Sequence, residues 1–245
     1  MLAVLLASLL VQAPPLTVAA ASDLQTALPA LVARFEQATG IRVRVTYGSS
    51  GNFSAQIQNG APFDVFLSAD VDYPRQLVAA RHADAASLYE YATGRMVLWT
   101  RKDSGIDVTR GLAVLGDARV RRLAIANPVH APYGRAAVAA LERAGLFDAA
   151  KPKLVLGENI SQTAQLVDSG NAQAGIIALS LALGPALRAS GTYLEIPADA
   201  HPPIRQAAVV LSASKNRDAA TRFLAYLRSA EAQATLRRFG FAPAR

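Results

Sequence analysis

Four segments of this 245-residue chain are rich in hydroxyl groups, small residues and free backbone N–H groups, and none of the four contains lysine or arginine. They are residues 21–23, 48–52, 127–134 and 157–161. Each follows a predicted strand, and the helix that comes next presents unpaired N–H groups and a partial positive charge at its N-terminus. Because ligands of open α/β sheets collect at the carboxyl ends of strands, the four turns predict a site for a small, fully ionised oxyanion.

The candidate donors in these turns are two serine hydroxyls and two main-chain N–H groups. Ser22 and Ser50 can each donate an O–H, while Tyr133 and Ile160 can each donate a backbone N–H. A carboxylate about 6 Å from a dianion repels it by about 5 kcal/mol at an effective dielectric constant near 20. We therefore expect the side chain of Asp23 to turn away and cap its own helix, which leaves only its N–H beside the ligand. Helix capping explains each serine singly, so the prediction depends on the four turns together.

The elements that must position these turns follow from hydrophobic periodicity. Residues 16–20 form an apolar strand, and the next helix carries an apolar stripe from Leu28 to Phe35 and ends at Gly40. Further strands are predicted at 41–47, 65–67, 96–100, 123–126, 154–156, 175–179 and 207–211, and further helices at 54–59, 71–80, 132–144, 161–169 and 217–240. This alternation predicts a mostly parallel sheet covered on both faces, in one domain or in two of about 115 residues each.

Composition limits the classes of partner and site. Lys and Arg number 25 against 18 Asp and Glu, a net charge of +7, yet charged residues make up only 18% of the chain. That fraction lies below the roughly 25% of average soluble domains, and we expect no nucleic-acid partner. The chain has no cysteine, which excludes disulfides, Cys-ligated zinc, iron–sulfur clusters, thiol nucleophiles and a lipid carried on cysteine.

The first residues are typical of a targeting segment. Residues 1–11 are almost purely apolar, and Pro14 and Pro15 follow shortly afterwards. A run of about 11 apolar residues is too short to cross a bilayer, which takes about 20. It fits the apolar part of a secretory signal peptide, which we assign to residues 1–15, with a buried first strand as the alternative. We expect export and a soluble protein held in a periplasm.

Five stretches of the chain share their residues with one known family. The stretches are LTVAAASDL at 16–24, VTYGSSGNFSAQIQNGAPFDVFLSAD at 45–70, IANPVHAPYGRAA at 125–137, SGNAQAGIIALS at 169–180 and FLAYLRSAEAQATLRRFGF at 223–241. In these stretches the chain resembles the periplasmic molybdate-binding proteins of ABC importers. The match spans nearly the whole mature chain in order, so it is more specific than any single motif.

The resemblance implies a type II periplasmic binding protein, an α/β chain of two doubly wound lobes, with mixed or parallel sheets, joined by two hinge crossovers. Lobe I is expected to take residues 16–91 plus 201–245 and lobe II residues 92–200, with the crossings near 91–93 and 200–202. The resemblance also implies a monomer without cofactor or catalysis. Such a protein captures molybdate, and tungstate too, between its lobes and delivers it to the membrane permease of an ABC importer.

The family's ligand contacts carry over to matching positions of this chain. They fall on the hydroxyls of Ser22 and Ser50 and on the backbone N–H groups of Tyr133 and Ile160, with Asp23 beside the first of them. The resemblance implies that molybdenum is held as an oxyanion through these donors. No protein atom is then bound to the metal itself.

One contact of the family is missing here. Some members place a tyrosine hydroxyl on the ligand from the strand that matches 175–179, where this chain has Ala178. Other members resemble this chain in having a tyrosine in the P-Y-G turn, which makes the Tyr133 hydroxyl the candidate substitute. The departure leaves open the fifth donor and the preference between molybdate and tungstate.

A cleft enzyme is the main alternative from another class. The histidines His82, His130 and His201 form no i, i+4 pair, and only His130 lies in a candidate turn. The sequence has no G-x-S-x-G elbow, no G-x-G-x-x-G and no P-loop motif. The acidic pair Asp70 and Asp72 is better explained by helix capping than by catalysis.

Two further alternatives stay open among binding proteins. Sulfate and phosphate are also tetrahedral oxyanions, and phosphate, which is partly protonated near neutral pH, needs an acceptor such as Asp23 or Glu158. The ligand-sensing half of a transcription regulator shares the two-lobed architecture. It requires a DNA-binding helix-turn-helix, and the residues before 16 form only a short apolar run.

Overall fold

The computed structural model describes residues 14–244, and nearly all of the predicted signal peptide, residues 1–13, lies outside that range. Ten strands form its two sheets: β1 (Leu16–Ala21), β2 (Val43–Gly48), β3 (Val65–Ser68), β4 (Tyr89–Gly94), β5 (Met96–Arg101), β6 (Leu123–Ala126), β7 (Leu154–Gly157), β8 (Ala174–Ala178), β9 (Gly191–Glu195) and β10 (Ile204–Val210). Within the described residues, no helix is long and apolar enough to cross a membrane.

The α-helices cover both sheets and connect most of the strands. They are α1 (Leu28–Thr39), α2 (Ser50–Gln58), α3 (Asp72–Ala79), α4 (Pro132–Arg143), α5 (Phe147–Ala150), α6 (Ile160–Asp168), α7 (Leu179–Ala182), α8 (Pro185–Ser190), α9 (Arg217–Leu227) and α10 (Ala230–Arg238). Short 3-10 helices include Ser22–Gln25, directly after β1, and Val108–Gly116. The predicted helices and strands thus occur in the predicted order.

The two five-stranded sheets define two lobes. The first sheet has the order β2-β1-β3-β10-β4 and the second has the order β7-β6-β8-β5-β9. In each sheet three neighbouring strands pair in parallel, while β10 in the first and β5 in the second run antiparallel to both of their neighbours. The expected α/β architecture with two doubly wound lobes is confirmed, and the sheets are mixed rather than mostly parallel because one strand beside the crossovers in each sheet, β10 or β5, runs against the other four.

The chain passes between the lobes twice. Arg95 alone separates β4 from β5, and residues 196–203 connect β9 to β10. The boundary expected between residues 91 and 92 lies inside β4, where Thr93 and Gly94 still pair with β10 of the first sheet. The second expected crossing, at 200–202, lies within the connection from β9 to β10.

Alternation along β1 explains how the first lobe is covered on both faces. Leu16, Val18 and Ala20 point to one face, where they pack with Phe35 of α1 and with residues of α9 and α10. Ala19 points to the other face, which α2 and α3 cover. The second lobe has its own core around the fully buried Trp99 of β5.

Two helices differ from the sequence prediction by more than a residue or two at a boundary, and one of them matters for the site. Helix α2 begins at Ser50, four residues earlier than expected, so the segment predicted as a loop contains the helix N-terminus. The helix predicted over 217–240 is two helices, because Ser229 caps α10 by accepting the N–H of Ala232 and so breaks the run.

Candidate functional site

The structure brings the four predicted turns together at one small cavity between the lobes. Its lining comprises Ala21, Ser22, Asp23, Gly48, Ser49, Ser50, Ala69, Ala131, Pro132, Tyr133, Asn159 and Ile160. All five predicted site residues are among them, and no lysine or arginine is. The cavity has a volume of about 10 Å³ in this closed arrangement. That is room for roughly one water, so a larger anion requires its walls to move apart slightly.

The two serine hydroxyls are fixed in place by bonds that they accept. Ser50 Oγ accepts the N–H of Ala69 at 2.9 Å, and Ser22 Oγ accepts the N–H of Ser161, from the opposite lobe, at 3.3 Å. Both serines are buried, and neither hydroxyl donates to any residue within 14–244. Since a hydroxyl carries one proton and two lone pairs, each serine keeps a proton to donate to a ligand.

The main-chain donors come from the first turns of two helices in the second lobe. Helix α4 begins at Pro132, which has no N–H, and Tyr133 is the first residue of that helix with a donor. At α6, the side chain of Asn159 accepts the N–H groups of Ser161 and Gln162. That cap leaves the N–H of Ile160, the first helical residue, free to face the cavity.

The side chain of Asp23 does not cap its own helix, contrary to our expectation. The 3-10 helix Ser22–Gln25 has no side-chain cap, and Asp23 Oδ2 instead accepts bonds from Tyr133 and Gln206. The carboxyl is fully buried, and its Oδ1 has no partner among the described residues. Burial raises the pKa of Asp23 from 3.8 to about 6, although the bonds from Gln206 and Tyr133 oppose the rise.

The hydroxyl of Tyr133 is also committed elsewhere, so the expectation that it replaces the missing tyrosine is wrong for this arrangement. It donates its single proton to Asp23 Oδ2 at 2.9 Å and accepts a bond from Gln206 at 3.2 Å. Tyr91 in turn donates to Gln206 at 2.8 Å. The buried cluster of Asp23, Tyr91, Tyr133 and Gln206 lies beside the crossovers. Ala178 is buried at the end of β8 and offers no side-chain donor.

Contacts that the sequence reasoning missed join the lobes around the cavity. The hydroxyl of Ser49 and the N–H of Gly51, both in the first lobe, donate to the carbonyl oxygen of His130 in the second. Nearby, Arg135 pairs with Asp70 and donates to the hydroxyl of Tyr73 at 3.1 Å. No local pattern could reveal these pairs, since the partners lie more than 60 residues apart in the chain.

Two side chains considered for other roles are placed away from the donor set. Glu158, a possible acceptor for protonated phosphate, is largely exposed and lies 3.4 Å from His130 Nε2. His130 itself contacts Ser49 through Nδ1, at 3.0 Å. Across residues 14–244, no three histidine, aspartate or glutamate side chains gather into a group that could hold a metal ion.

Comparison with known proteins decides the family. The family model described as bacterial extracellular solute-binding protein matches residues 16–242. The chain belongs to that family. One relative of this solute-binding protein, the molybdate-binding protein ModA of Azotobacter vinelandii, is 40% identical over 230 residues, which cover 94% of this chain and 90% of the relative. The molybdate-binding protein ModA of Escherichia coli (strain K12) is 29% identical over 232 residues, with coverage of 92% and 88%.

Solved structures support the same relationship. The periplasmic molybdate-binding protein of Azotobacter vinelandii superposes on this solute-binding protein with a TM-score of 0.87 and 33% identity, covering 94% of this chain and 100% of the other. The sulfate-binding protein SubI of Mycobacterium tuberculosis gives a TM-score of 0.77 at 17% identity, covering 94% and 87%. The second match shows a shared fold alone. The family resemblance predicted from the five sequence stretches is confirmed.

Proposed function

We propose that this solute-binding protein captures a tetrahedral oxyanion, molybdate and also tungstate, between its lobes and delivers it to the permease of an ABC importer. The observation that carries the proposal is the convergence of four turns without lysine or arginine on one cavity. The names of the relatives, molybdate-binding proteins of similar length, support the choice of ligand.

The chemistry of the cavity suits an anion that is fully ionised. Ser22 and Ser50 each keep an O–H to donate, and Tyr133 and Ile160 each present a helix N-terminal N–H. Such donors, with the partial positive charge of the helix ends, offset the charge of a dianion without a cationic side chain. The side-chain acceptor at the cavity is the carboxyl of Asp23, whose Oδ2 is occupied and whose Oδ1 has no partner among the described residues.

The remaining parts of the proposal concern the setting in which the protein works. We place it in the periplasm as a soluble monomer, exported through the signal peptide assigned to residues 1–15. It binds no nucleic acid, carries no cofactor and catalyses no reaction. Molybdenum stays within its oxyanion and forms no bond to a protein atom. An open form captures the anion, the lobes rotate together, and the closed form docks on the permease.

Thermal denaturation with molybdate, tungstate, sulfate and phosphate in parallel tests the ligand. An anion that binds only the folded state, at 100 times its dissociation constant, adds about 2.7 kcal/mol to the free energy of unfolding. We expect molybdate and tungstate to raise the melting temperature and the other two anions to leave it unchanged at equal concentration. A rise with sulfate or phosphate alone contradicts the ligand assignment, and no rise with any of the four contradicts oxyanion binding.

A further inference from the structure

Ser49, Gly51 and His130 connect the lobes through groups that are outside the predicted donor set. Ser49 Oγ donates to the His130 carbonyl oxygen at 2.5 Å, and the Gly51 N–H donates to the same oxygen at 3.0 Å. The His130 Nδ1 lies 3.0 Å from Ser49 Oγ. Since the Ser49 proton goes to the carbonyl, the ring nitrogen is the donor in this third bond. One turn of the second lobe is thus bonded three times to the start of α2.

These bonds lie far from the crossovers. Ser49 and Gly51 follow β2, the edge strand at the opposite side of the first sheet from β4. His130 follows β6, which β8 separates from the crossover strand β5. A rotation about the crossovers moves these points further than it moves the Tyr133 hydroxyl, which lies against Gly94 at the end of β4, or the Asp23 carboxyl, which is bonded to Gln206 of β10. Because these bonds lie far from the crossovers about which the lobes rotate, they resist opening of the lobes.

Gly51 permits the close approach because it has no side chain. A Cβ at this position would lie 2.6 Å from the His130 carbonyl oxygen, 3.0 Å from the His130 Cα and 2.7 Å from the Tyr73 hydroxyl oxygen. Two of these atoms belong to the backbone and cannot rotate away. Any side chain at position 51 must therefore separate the two lobes at this point.

We propose that Ser49, Gly51 and His130 form a latch, which holds the lobes closed over the captured anion and so sets how slowly the anion leaves. The proposal rests on the proposed function. In it, the three residues position the two lobes and donate no bond to the anion. Capture takes place in the open form, before the latch has formed, whereas release requires the latch to break. Loss of the latch therefore raises koff and leaves kon nearly unchanged.

Stopped-flow measurement of sodium molybdate binding to Gly51→Ala, Ser49→Ala and the wild type separates kon from koff. We expect Gly51→Ala to raise koff by at least about tenfold, and Ser49→Ala by about three- to tenfold, with kon within about threefold of the wild type. Matched controls are Gly116→Ala, whose Cβ would meet no atom within 4 Å, and Ser212→Ala, which is exposed. A koff for Gly51→Ala equal to that of Gly116→Ala overturns the proposal.

Distances between labels on the two lobes give a second readout, and the absence of cysteine makes labelling specific. We place single cysteines at the exposed positions of Ala55 in α2 and Gln165 in α6. With molybdate present, the latch predicts a longer mean distance for Gly51→Ala than for the wild type and for Gly116→Ala. Equal distances in all three contradict it. If Gly51→Ala fails to fold, the koff of Ser49→Ala against Ser212→Ala decides.

Failure of the proposed function gives a different pattern from failure of the latch. If the wild type binds none of the four oxyanions, the function is wrong. The label distances of the proteins without added anion then still test the latch, because its three bonds join protein atoms alone. If the wild type binds molybdate while the variants match their controls in koff and distance, the latch alone is wrong.

Discussion

Two buried aspartates lie at opposite ends of strand β1, and their surroundings differ. Asp64, beside Thr17 at the start of the strand, accepts four hydrogen bonds: from the Thr17 N–H and hydroxyl and from the side chains of Ser214 and Asn216, at 2.7–3.2 Å. Burial acts to raise the pKa of Asp64, but these bonds outweigh it and hold the pKa below its usual value. Asp23, directly after the end of the strand, keeps one oxygen without a partner, and its pKa rises to about 6.

The difference shows where the chain uses its donors and where it keeps them free. Around Asp64 four donors are directed at the carboxylate, so both of its oxygens are paired. Around Asp23 the hydroxyl of the adjacent Ser22 and that of Ser50 are not given to the carboxylate. Donors left unpaired in a buried place cost free energy, and a ligand that accepts them recovers it. Free donors at the end of β1 that faces the cavity are therefore what a binding site there requires.

The largest effect on stability is expected from Asp64, at the end of β1 away from the cavity. Asp64→Ala leaves the donors of Thr17, Ser214 and Asn216 without their charged acceptor. We expect the free energy of unfolding, measured by urea denaturation at neutral pH, to fall by about 3–4 kcal/mol. Because the pKa of Asp64 is lowered, the stability that it contributes is present above the usual carboxyl pKa and is lost as the pH falls through the folded-state pKa. A loss of less than 1 kcal/mol would remove the contrast between the two aspartates.

The contribution of Asp23 to stability is expected to change with pH in the direction opposite to that of Asp64. Its pKa is about 6 in the folded chain against 3.8 when unfolded, so its contribution to stability is full below 3.8 and is lost as the pH rises to about 6. The loss is about 3 kcal/mol. The isosteric Asp23→Asn does not titrate. The test compares the free energies of unfolding of Asp23→Asn and the wild type without ligand. The difference, variant minus wild type, should increase by about 3 kcal/mol between about pH 3.5 and about pH 7.5. A difference that stays constant with pH contradicts the raised pKa.

The free serine protons should matter for binding more than for folding. Ser22→Ala and Ser50→Ala should each weaken molybdate binding by about 1.5–3 kcal/mol, the range for a hydrogen bond to a charged group. Each loses only one accepted N–H within the protein, which is worth about 1 kcal/mol of stability. Calorimetric titration checks the first value and urea denaturation the second, with Ser212→Ala as the matched control. Unchanged affinity in both variants excludes these serines from the site.

The smallest effect is expected from the Tyr133 hydroxyl. Since that hydroxyl donates to Asp23 and accepts from Gln206, Tyr133→Phe keeps the backbone N–H that faces the cavity and removes only two bonds within the cluster. We expect the affinity for molybdate at pH 8 to change by less than about threefold, and the pKa of Asp23 to rise further, because one bond that stabilises the carboxylate is lost. Calorimetry at pH 8 measures the first effect. A loss of affinity as large as that of Ser22→Ala means that the hydroxyl reaches the anion.

Local sequence patterns predicted the turns and most of the elements, because both depend on near neighbours, but they missed strands β4 and β9 and the short helices α5, α7 and α8. The apolar stripe from Leu28 to Phe35 places α1, and the small polar residues after β1, β2, β6 and β7 mark the turns that meet at the cavity. The start of α2 at Ser50 was missed. Ser49 is the N-cap, but its hydroxyl turns to the opposite lobe instead of capping the helix.

Side-chain partners across the cleft could not be predicted in this way. Asp23 bonds to Gln206, 183 residues further along the chain, and to Tyr133, 110 residues further along. The local reading of Asp23 as a helix cap fails because these distant donors compete with the backbone for the carboxylate. The turns supplied the donor positions and the resemblance to a known family matched them, while the direction of each side chain depends on how the two lobes meet.

The central claim, that neutral donors between the lobes hold the oxyanion, is tested most directly by a crystal structure of the protein grown with molybdate. Anomalous scattering from molybdenum locates the metal without ambiguity. We predict one site, between the lobes, with the oxygens of the ion within hydrogen-bond distance of the hydroxyls of Ser22 and Ser50 and the N–H groups of Tyr133 and Ile160. Molybdate bound elsewhere, or surrounded by lysine and arginine side chains, would contradict the claim.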